Sequence, residues 1–474
     1  MWEHQRQAFV RFREVDSFGL FFEQGTGKTL TIINILRWRF GVKGRVLRTL
    51  IFGPPIVVEN WRREWCAFSQ VDRRRVVALS GSMAKRIKTF RDAVAADRNT
   101  VFITNYEALL KQELLDEFMA WAPEVVVLDE SHRVKSYNAK RTKLMYKLAA
   151  DTDVILATGT PVLQSPMDLF AQFKIMDKKV FGVNFFEFRS RYFYDKNSGM
   201  PKDRHFPNWV VRPGTYEQMR HKVEEVAMVV KKQDCLSLPP FVRQKIEVEL
   251  PSSMRRPYEM MRKHLIAQIE EGDCVAQLAL TKALRLLQMA SGYIPVVAEK
   301  GLKLESKNIP FKENPKALAL RELLSDITPH SKVLVWAVFK ENYKTIREVC
   351  DGLKIDYVEI SGERTPKQKQ EAVDRLHTDD AVRVLIGHPG SGGIGINLIA
   401  ASYSIFYSRG YSLEYDLQAE ARNYRGGSNR HARVTRIDLV AKDTIDEDVA
   451  EALAAKQTVS DRILLGMLKE RDHE

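Results

Sequence analysis

A glycine-rich stretch near the start of the chain, residues 22–29, has the residue types of a phosphate-binding loop. Its sequence, FEQGTGKT, follows a short apolar run and precedes a stretch with apolar residues at helical spacing. Gly25 and Gly27 can bring backbone N–H groups close to phosphate oxygens at the start of a helix. Lys28 can reach the β and γ phosphates, and the Thr29 hydroxyl can ligate Mg²⁺. Because phenylalanine stands where the strict motif has glycine, the stretch taken alone could also be a glycine turn with a surface lysine.

Two adjacent carboxylates, Asp129 and Glu130, follow apolar residues in the stretch VVVLDESHRVK. Such a run predicts a buried strand, and ligands of open α/β sheets bind at the carboxyl ends of the strands. Asp129 can hold Mg²⁺ through water, and Glu130 can orient and deprotonate a water that attacks phosphate. The pair could instead cap the following helix. The phosphate loop in the same predicted domain favours the hydrolytic interpretation.

A third motif, LATGTPV, places Thr158, Gly159 and Thr160 after another predicted strand. By itself this sequence is typical of an ordinary turn. Since the carboxyl ends of parallel strands meet at one edge of a sheet, we expect these residues to lie beside the same site.

A fourth motif, QAEARNYRGG, lies near the C-terminus. Gln418, Arg422 and Arg425 are spaced by four and then three residues, which predicts that they share one face of a helix. The arginines could form a solvated face. Alternatively, they could neutralise the charge that develops on the γ-phosphate, a role worth a factor of about a thousand or more in rate.

The elements that must hold these residues follow from apolar runs that alternate with longer helix-patterned stretches. This alternation predicts a parallel sheet covered by helices, and it occurs twice, so we expect two α/β domains. In the first half the predicted strands are residues 19–22, 50–52, 101–104, 125–128 and 154–157. In the second half they lie in KVLVWAVF, YVEIS, VRVLIG, YSIFYS and VTRIDLV.

The region between the two predicted sheets is helical in pattern and basic. A proline-containing stretch with an alternating strand, residues 235–251, interrupts it, and we place the domain boundary there. The first domain then spans residues 1–245, with a helical protrusion at about 162–232. The second spans residues 246–474 and begins with a helical protrusion at about 251–312. In the stretch FRSRYFYDK the aromatic side chains could stack on bases, but packing within the protrusion is the favoured interpretation.

Composition limits the class of protein. Lys+Arg number 74 and Asp+Glu 61, so the formal net charge is +13 and the pI is near 9.4, which suits a polyanionic partner. The four cysteines are scattered without a close pair, so neither a zinc framework nor a disulfide scaffold is indicated. No apolar run has the length of a signal core or a membrane span. We therefore expect no membrane partner and a cytoplasmic location in a bacterial cell or phage-infected host, or a nuclear one in a eukaryote.

The order of these motifs resembles that of superfamily 2 helicases, and within them the Swi/Snf group of DNA translocases. The specific marks in the first half are NW after a Pro-Pro loop, NYEAL and DESHRVK. In the second half they are SLPPFVRQKIEVEL, GGIGINL, DLQAEARNYR and AKDTIDEDVAEALAAKQ. The resemblance covers nearly the whole chain, and the length is that expected of a minimal phage or bacterial member.

The resemblance implies two RecA-like parallel-sheet lobes that close on ATP and Mg²⁺, with helical protrusions inserted between them. Gln5 would read the adenine edge, and Arg422 and Arg425 would reach the nucleotide from the second lobe. Hydrolysis would drive stepwise movement along DNA. The residues implied in ATP binding are Gln5, Gln24, Gly25, Thr26, Gly27, Lys28 and Thr29. The residues implied in motor coupling are Thr158, Gly159, Thr160, Gly393, Gly395 and Gln418.

Contacts to the nucleic acid are expected at loops that follow strand ends. Backbone N–H and hydroxyl groups there can hold phosphates without reading bases, so binding would not depend on sequence. The resemblance favours double-stranded DNA as the partner. The residues predicted to make these contacts are Pro54, Thr104, Asn105, Ser361 and Gly390.

Two other functions stay open at this point. A helicase that separates strands on single-stranded DNA or on RNA would share the same ATPase core. A non-catalytic nucleic-acid clamp would not need the loop lysine, the carboxylate pair and the two arginines, all of which the sequence contains. We therefore favour an ATP-driven enzyme over a clamp.

Overall fold

The computed structural model describes residues 1–163, 165–201, 205, 207–270, 276–300, 303–390 and 396–465. These residues form two compact units. The first is built mainly from Met1–Leu236, and the second begins at Ser237. Within the described ranges, no helix is both long enough and apolar enough to cross a membrane.

The first unit is organised around a parallel sheet. The strands of the unit are β1 (Phe18–Phe22), β2 (Thr49–Gly53), β3 (Val76–Ala78), β4 (Val101–Asn105), β5 (Val125–Asp129), β6 (Asp153–Ala157), β7 (Phe193–Asp195), β8 (Trp209–Val211) and β9 (Ala227–Val230). The sheet order is β3-β4-β2-β5-β6-β1-β9, and β7 pairs with β8 as a separate antiparallel ribbon. The helices are α1 (Glu3–Phe12), α2 (Lys28–Lys43), α3 (Val58–Phe68), α4 (Met83–Ala96), α5 (Gln112–Trp121), α6 (Lys140–Leu148), α7 (Asp168–Met176), α8 (Lys178–Phe181), α9 (Phe185–Tyr192), α10 (Thr215–Val226) and α11 (Lys232–Cys235).

Burial on both faces explains why the strands of this sheet are apolar. Every residue of β1, β2, β4 and β5 is buried, as expected where helices cover a parallel sheet. The five strands predicted in this half are confirmed to within one residue at each end. The sequence pattern missed β3, which is only three residues long, and β9, which lies in the stretch predicted to be helical.

The second unit has a parallel sheet of its own. Its strands are β10 (Phe241–Val248), β11 (Tyr293–Lys300), β12 (Lys303–Pro310), β13 (Lys332–Trp336), β14 (Asp356–Ile360), β15 (Val382–Gly387), β16 (Ala401–Phe406) and β17 (Val434–Ala441). The sheet order is β10-β17-β16-β13-β15-β14, and β11 and β12 form an antiparallel hairpin. The helices are α12 (Ser252–Glu270), α13 (Ala276–Ala290), α14 (Pro315–Ile327), α15 (Lys340–Gly352), α16 (Pro366–Thr378), α17 (Leu413–Glu420) and α18 (Ile445–Leu465), which belongs to this unit as far as Ala455. The expectation of two α/β units with parallel sheets is confirmed.

The division between the units falls before the boundary expected after residue 245. β10 pairs in parallel with β17 along its whole length, from Phe241 opposite Val434 to Val248 opposite Ala441. A cut after residue 245 would divide this strand. The strand therefore belongs entirely to the second sheet, and the structure divides the chain just before Ser237.

Aromatic side chains of the first helical protrusion are packed inside it. Phe188 and Tyr192 on α9 and Phe193 at the start of β7 are all buried. The rings of Phe188 and Tyr192 lie 5.1 Å apart, and Phe181 lies 5.2 Å from Phe188. The interpretation that these aromatics pack rather than stack on bases is confirmed.

Candidate active site

The phosphate loop is a preformed turn between β1 and α2. Gly25 and Gly27 have φ angles of +87° and +83°, a region that favours glycine because it has no Cβ. Inside the loop, Thr26 is fully buried, and its hydroxyl donates a hydrogen bond to the carbonyl of Glu23 at 2.6 Å. The loop leads directly into α2 at Lys28. The N–H groups of a helix start favour anions, so this turn is suited to phosphate.

The start of α1 lies against this loop. The Gln5 side chain donates from Nε2 to the carbonyl of Gly27 at 3.3 Å and accepts at Oε1 from the N–H of Trp2 at 2.7 Å. His4 Nε2 lies 2.8 Å from the carbonyl of Thr26. A Cβ on Gly27 would lie 2.1 Å from Gln5 Nε2, so only glycine allows this approach. The structure therefore brings Gln5 to the phosphate loop, whereas its contact with adenine stays a prediction.

Lys28 lies at the first position of α2, and its side chain turns back over the loop. Its Nζ donates a hydrogen bond to the carbonyl of Phe22, the last residue of β1, at 2.8 Å. This contact holds the ammonium group above the turn that contains Gln24 and Gly25. Thr29 follows on the helix and is half-buried. The contacts of Lys28 with phosphate and of Thr29 with Mg²⁺ stay predictions.

Asp129 ends β5 at the same edge of the sheet. Trp61 Nε1 donates to its Oδ2 at 2.8 Å, and the N–H of Glu130 donates to its Oδ1 at 3.0 Å. The Tyr106 hydroxyl donates to the backbone carbonyl of Asp129 at 2.8 Å. Burial, helped by the neighbouring Glu130 carboxylate, raises the pKa of Asp129 to about 6. The carboxylate is therefore fixed in direction and destabilised as a charge, and a nearby cation would relieve this cost.

Glu130 is held in an unusual backbone conformation and in a buried position. Its φ of +52° lies in the left-handed region, which a non-glycine residue adopts at an energetic cost. Its side chain is almost fully buried, and Oε2 accepts a hydrogen bond from the Thr158 hydroxyl at 3.1 Å. Oε1 has no hydrogen-bond partner among the described residues. A fixed carboxylate with a free acceptor oxygen can accept a proton from water.

The motif Thr158-Gly159-Thr160 connects this carboxylate to the phosphate loop. The N–H of Thr160 donates to the Thr158 hydroxyl at 3.1 Å, and His132 Nδ1 also lies 3.1 Å from that hydroxyl. A Cβ on Gly159 would lie 3.1 Å from the carbonyl of Phe22, so a larger residue would press on the start of the loop. The structure therefore brings this motif to the site, as expected from its position after β6.

Two loops predicted to contact DNA lie together in the first unit. β2 and β4 end side by side, with Gly53 opposite Asn105, and Pro54 follows β2 directly. Thr104 is fully buried, and its Oγ1 has no hydrogen-bond partner in the described part of this unit. Asn105 accepts at Oδ1 from Arg86 at 2.9 Å. These groups share one sheet edge, and their contact with nucleic acid stays a prediction.

The second unit places its predicted contacts in the same way. β14 and β15 end side by side, with Ile360 opposite Gly387. Ser361 is buried next to this edge, and its Oγ has no hydrogen-bond partner among the residues described. A Cβ on Gly390 would lie 2.8 Å from the ring of Tyr415, so a larger residue here would displace that ring. The predicted coupling residues that lie outside the described residues are Gly393 and Gly395.

The arginine motif begins on a helix but continues beyond it. α17 ends at Glu420, and Arg422 and Arg425 lie in the turns that follow. The prediction that they share a helical face with Gln418 is therefore wrong. At Arg422 the regular ladder is interrupted: its N–H donates to the carbonyl of Ala419, three residues back, at 3.2 Å, and its carbonyl accepts from the N–H of Leu398 at 3.0 Å.

Two family models match the chain. The model of the SNF2-related domain matches residues 9–291, which is more than half of the chain. The chain belongs to the SNF2-related family. The model of the helicase conserved C-terminal domain matches residues 315–427. The resemblance of the motifs to the Swi/Snf group is confirmed, and the phosphate loop and carboxylate pair of the SNF2-related domain lie within the first match.

Individual relatives of this SNF2-related chain differ in length. The mouse SWI/SNF-related matrix-associated actin-dependent regulator of chromatin subfamily A member 1 is 25% identical over 439 residues, covering 92% of this chain and 40% of its own length. Putative protein p41 of Acyrthosiphon pisum secondary endosymbiont phage 1 is 26% identical over 462 residues, covering 94% and 93%. The chain thus spans less than half the length of the mouse relative. The Sulfolobus solfataricus SWI2/SNF2 ATPase core in complex with dsDNA has a TM-score of 0.43 and 19% identity, covering 98% of this chain and 93% of that chain.

Sequence reasoning did not assign three residues that contact Asp129 or Glu130 in this SNF2-related site. Trp61 and Tyr106 orient Asp129, and His132 lies 3.4 Å from Glu130 Oε2. The motifs NW and NYEAL carried the family resemblance, so a signal for the first two was present. His132 is part of DESHRVK, but its contact depends on a turn of the chain that residue spacing does not reveal.

Proposed function

We propose that the chain is an ATP-dependent translocase that moves along double-stranded DNA. The observation that carries the proposal is the buried carboxylate of Glu130, which is oriented by Thr158 and keeps one oxygen without a partner among the described residues. Such a group beside a phosphate loop is suited to activate water for attack on the γ-phosphate. Membership of the SNF2-related family supports the same activity.

ATP would be held by the loop at the start of α2. Backbone N–H groups from Gln24 to Lys28 would bind phosphate oxygens, and the Lys28 ammonium would exchange the carbonyl of Phe22 for phosphate. The Thr29 hydroxyl and the Asp129 carboxylate are hard oxygen donors of the kind that Mg²⁺ prefers, and Mg²⁺ commonly needs only one or two protein ligands besides phosphate and water. When bound, Mg²⁺ would neutralise negative charge on the phosphates.

We assign the two arginines of the second unit to turnover. Arg422 is buried and Arg425 is half-buried, so both are held by the protein instead of extending into solvent. Arginine stabilises the charge that develops on a transferring phosphoryl group. The SNF2-related family membership supports this role for both residues, and it does not depend on their sharing a helical face.

DNA would be held at the edges where β2, β4, β14 and β15 end. Thr104 and Ser361 each carry a buried hydroxyl without a partner among the described residues, one in each unit, and each hydroxyl would have to become exposed for a DNA phosphate to reach it. Hydroxyl and backbone N–H groups bind phosphates without reading bases. The net charge of +13 favours a polyanion. The mouse relative is named a regulator of chromatin, which supports duplex DNA as the substrate here.

We further infer that the protein works in the cytoplasm of a bacterial cell or of a phage-infected host. The phage relative matches this chain along nearly its whole length, and an uncharacterized ATP-dependent helicase of Mycoplasma genitalium is 24% identical over 484 residues. Both relatives support a bacterial or phage setting.

The experiment that tests the proposal compares the rate of ATP hydrolysis in the presence of duplex DNA, single-stranded DNA and RNA. Each nucleic acid is added at the same concentration of nucleotide residues, and the ATP concentration is kept constant. We expect duplex DNA to stimulate hydrolysis most. Preferential stimulation by single strands or RNA would instead support the strand-separating helicase. Binding of nucleic acid without any ATP hydrolysis would support a non-catalytic clamp.

A further inference from the structure

Glu23, the second residue of the phosphate loop, is attached to the segment that follows β9. The backbone N–H of Glu23 donates to the carbonyl of Val230 at 2.8 Å. The backbone N–H of Lys232 donates to Glu23 Oε2 at 3.0 Å, and Lys232 Nζ lies 3.1 Å from Glu23 Oε1. Both carboxylate oxygens of Glu23 are thus bound by one residue of α11.

This attachment is shielded from water on the lysine side. The Lys232 side chain is 8% exposed and the Glu23 side chain 31%. Charge-assisted hydrogen bonds of this kind are stronger than neutral ones, and removing one partner leaves the other charge partly buried and uncompensated. The pairing of β1 with β9, with Phe22 opposite Val230, fixes the backbone on both sides of the contact.

The position of the pair along the chain gives it a functional meaning. Glu23 lies between the strand β1 and the phosphate-binding turn. Gly159 packs against it, since a Cβ added to Gly159 would lie 3.3 Å from the Cα of Glu23. Lys232 begins α11, and the long N-terminal segment of the first unit, Met1–Leu236, ends shortly after it. Glu23 is therefore bonded directly to the exit segment, defined here as residues 231–236.

We propose that Glu23 and Lys232 are a positioning pair that transmits the state of the phosphate loop to the exit segment, and so couples ATP turnover to movement. The inference rests on the proposed translocase function. Neither residue needs to touch the reacting atoms. Without the lysine ammonium, the loop would still bind and hydrolyse ATP, but its displacement would reach the exit segment only weakly.

Cys235 provides a local probe of this coupling. Its Sγ donates to the carbonyl of Lys231 at 3.3 Å in the exit segment, and burial raises the pKa of the thiol to about 11. A thiol held in this way reacts slowly with alkylating reagents, because the thiolate is the reactive form. A nucleotide-dependent change of the exit segment would therefore change the rate of alkylation at Cys235, and Cys66 in α3 would serve as the internal reference.

The test measures alkylation of Cys235 by peptide mass analysis, with and without a non-hydrolysable ATP analogue, in the full chain. We compare the wild type with Lys232→Met, which removes the ammonium group but keeps an unbranched apolar side chain, and with Lys232→Arg, which keeps a positive charge. The matched control is Arg45→Met, which breaks an ion pair with Glu124 at the amino end of β5. We expect the analogue to change the rate of Cys235 alkylation in the wild type and in Arg45→Met. In Lys232→Met this change should be about tenfold smaller, and in Lys232→Arg it should be partly restored.

The same variants are then measured for ATP consumed per third strand displaced from a triplex. Lys232→Met should keep most of its DNA-stimulated ATP hydrolysis while consuming about tenfold more ATP per displacement. An equal nucleotide response at Cys235 in Lys232→Met and wild type, or no response in the wild type, would overturn the coupling role. Failure of the wild type to displace the strand, with the Cys235 response intact, would instead overturn the translocase function alone.

Discussion

The hydroxyl of Thr158 donates a hydrogen bond to Oε2 of Glu130 at 3.1 Å, and the second carboxylate oxygen has no partner among the described residues. The two residues come from the ends of neighbouring strands, β5 and β6, which pair in parallel in the sheet. The hydrogen bond to one oxygen therefore orients the Glu130 carboxylate, and the other oxygen is the one proposed to accept a proton from water. This division of roles leads to the first two predictions.

Glu130→Gln should bind ATP with near wild-type affinity but lose hydrolysis by a factor of about a hundred to ten thousand, because an amide cannot take the proton from water. Asp129 remains to support metal binding in this variant. Nucleotide affinity and single-turnover hydrolysis measured on the same preparation test both parts. Hydrolysis near the wild-type rate would show that Glu130 is not the base.

Thr158→Val should lower kcat by about ten- to a hundredfold with little change in the KM for ATP, since it removes a hydrogen bond to a charged group but preserves shape. Thr158→Ser keeps the hydroxyl and should stay close to the wild type. Steady-state kinetics of the two variants side by side make the comparison. If both lose activity equally, packing of the methyl group and not the hydrogen bond is what matters.

Trp61→Phe should raise the Mg²⁺ concentration needed for half-maximal hydrolysis by about tenfold or more, because it removes the donor that orients Asp129. At saturating Mg²⁺ most of the activity should return. A titration of ATPase rate against Mg²⁺ measures this shift. An unchanged Mg²⁺ requirement would argue that Asp129 is not the metal ligand.

Thr104→Val and Ser361→Ala should each weaken binding to duplex DNA by about fivefold, which corresponds to one lost hydrogen bond to phosphate. Neither should reduce the free energy of unfolding, because each removes a buried hydroxyl that has no partner among the described residues. DNA affinity at several salt concentrations and a thermal melt test the pair. Loss of stability with unchanged DNA affinity would assign these hydroxyls a purely internal role.

Arg425→Ala should reduce turnover by about a thousandfold while leaving DNA binding without nucleotide near the wild-type level, since its proposed role arises only as charge develops on phosphate. Arg422→Ala should behave in the same way. DNA-stimulated ATPase rates and nucleotide-free DNA affinity are the two readouts. Full turnover in either variant would remove that arginine from the mechanism.

The phosphate loop and the carboxylate pair could be predicted from sequence because each requires particular residues at a strand end. Gly25, Gly27 and Lys28 lie where local spacing alone positions them, and Asp129 lies at the end of a fully buried strand. Short-range rules therefore sufficed for this half of the site. Apolar runs also located most strands, because burial on both faces leaves a continuous apolar stretch.

Contacts between residues distant in sequence could not be predicted in the same way. Trp61 reaches Asp129, and Lys232 reaches Glu23, only after the sheet has formed. The helical face predicted for Arg422 and Arg425 was wrong because α17 ends at Glu420, and the turn that follows it bonds through the carbonyl of Arg422 to the N–H of Leu398. Residue spacing carries no information about such a tertiary partner.

The central claim, movement along intact duplex DNA, is tested most directly by a triplex-displacement assay run beside a plain duplex-unwinding assay. We predict that ATP drives removal of the third strand while the underlying duplex stays paired, and that the Glu130→Gln variant leaves both the third strand and the duplex in place. Efficient separation of the plain duplex with the third strand left in place would contradict it.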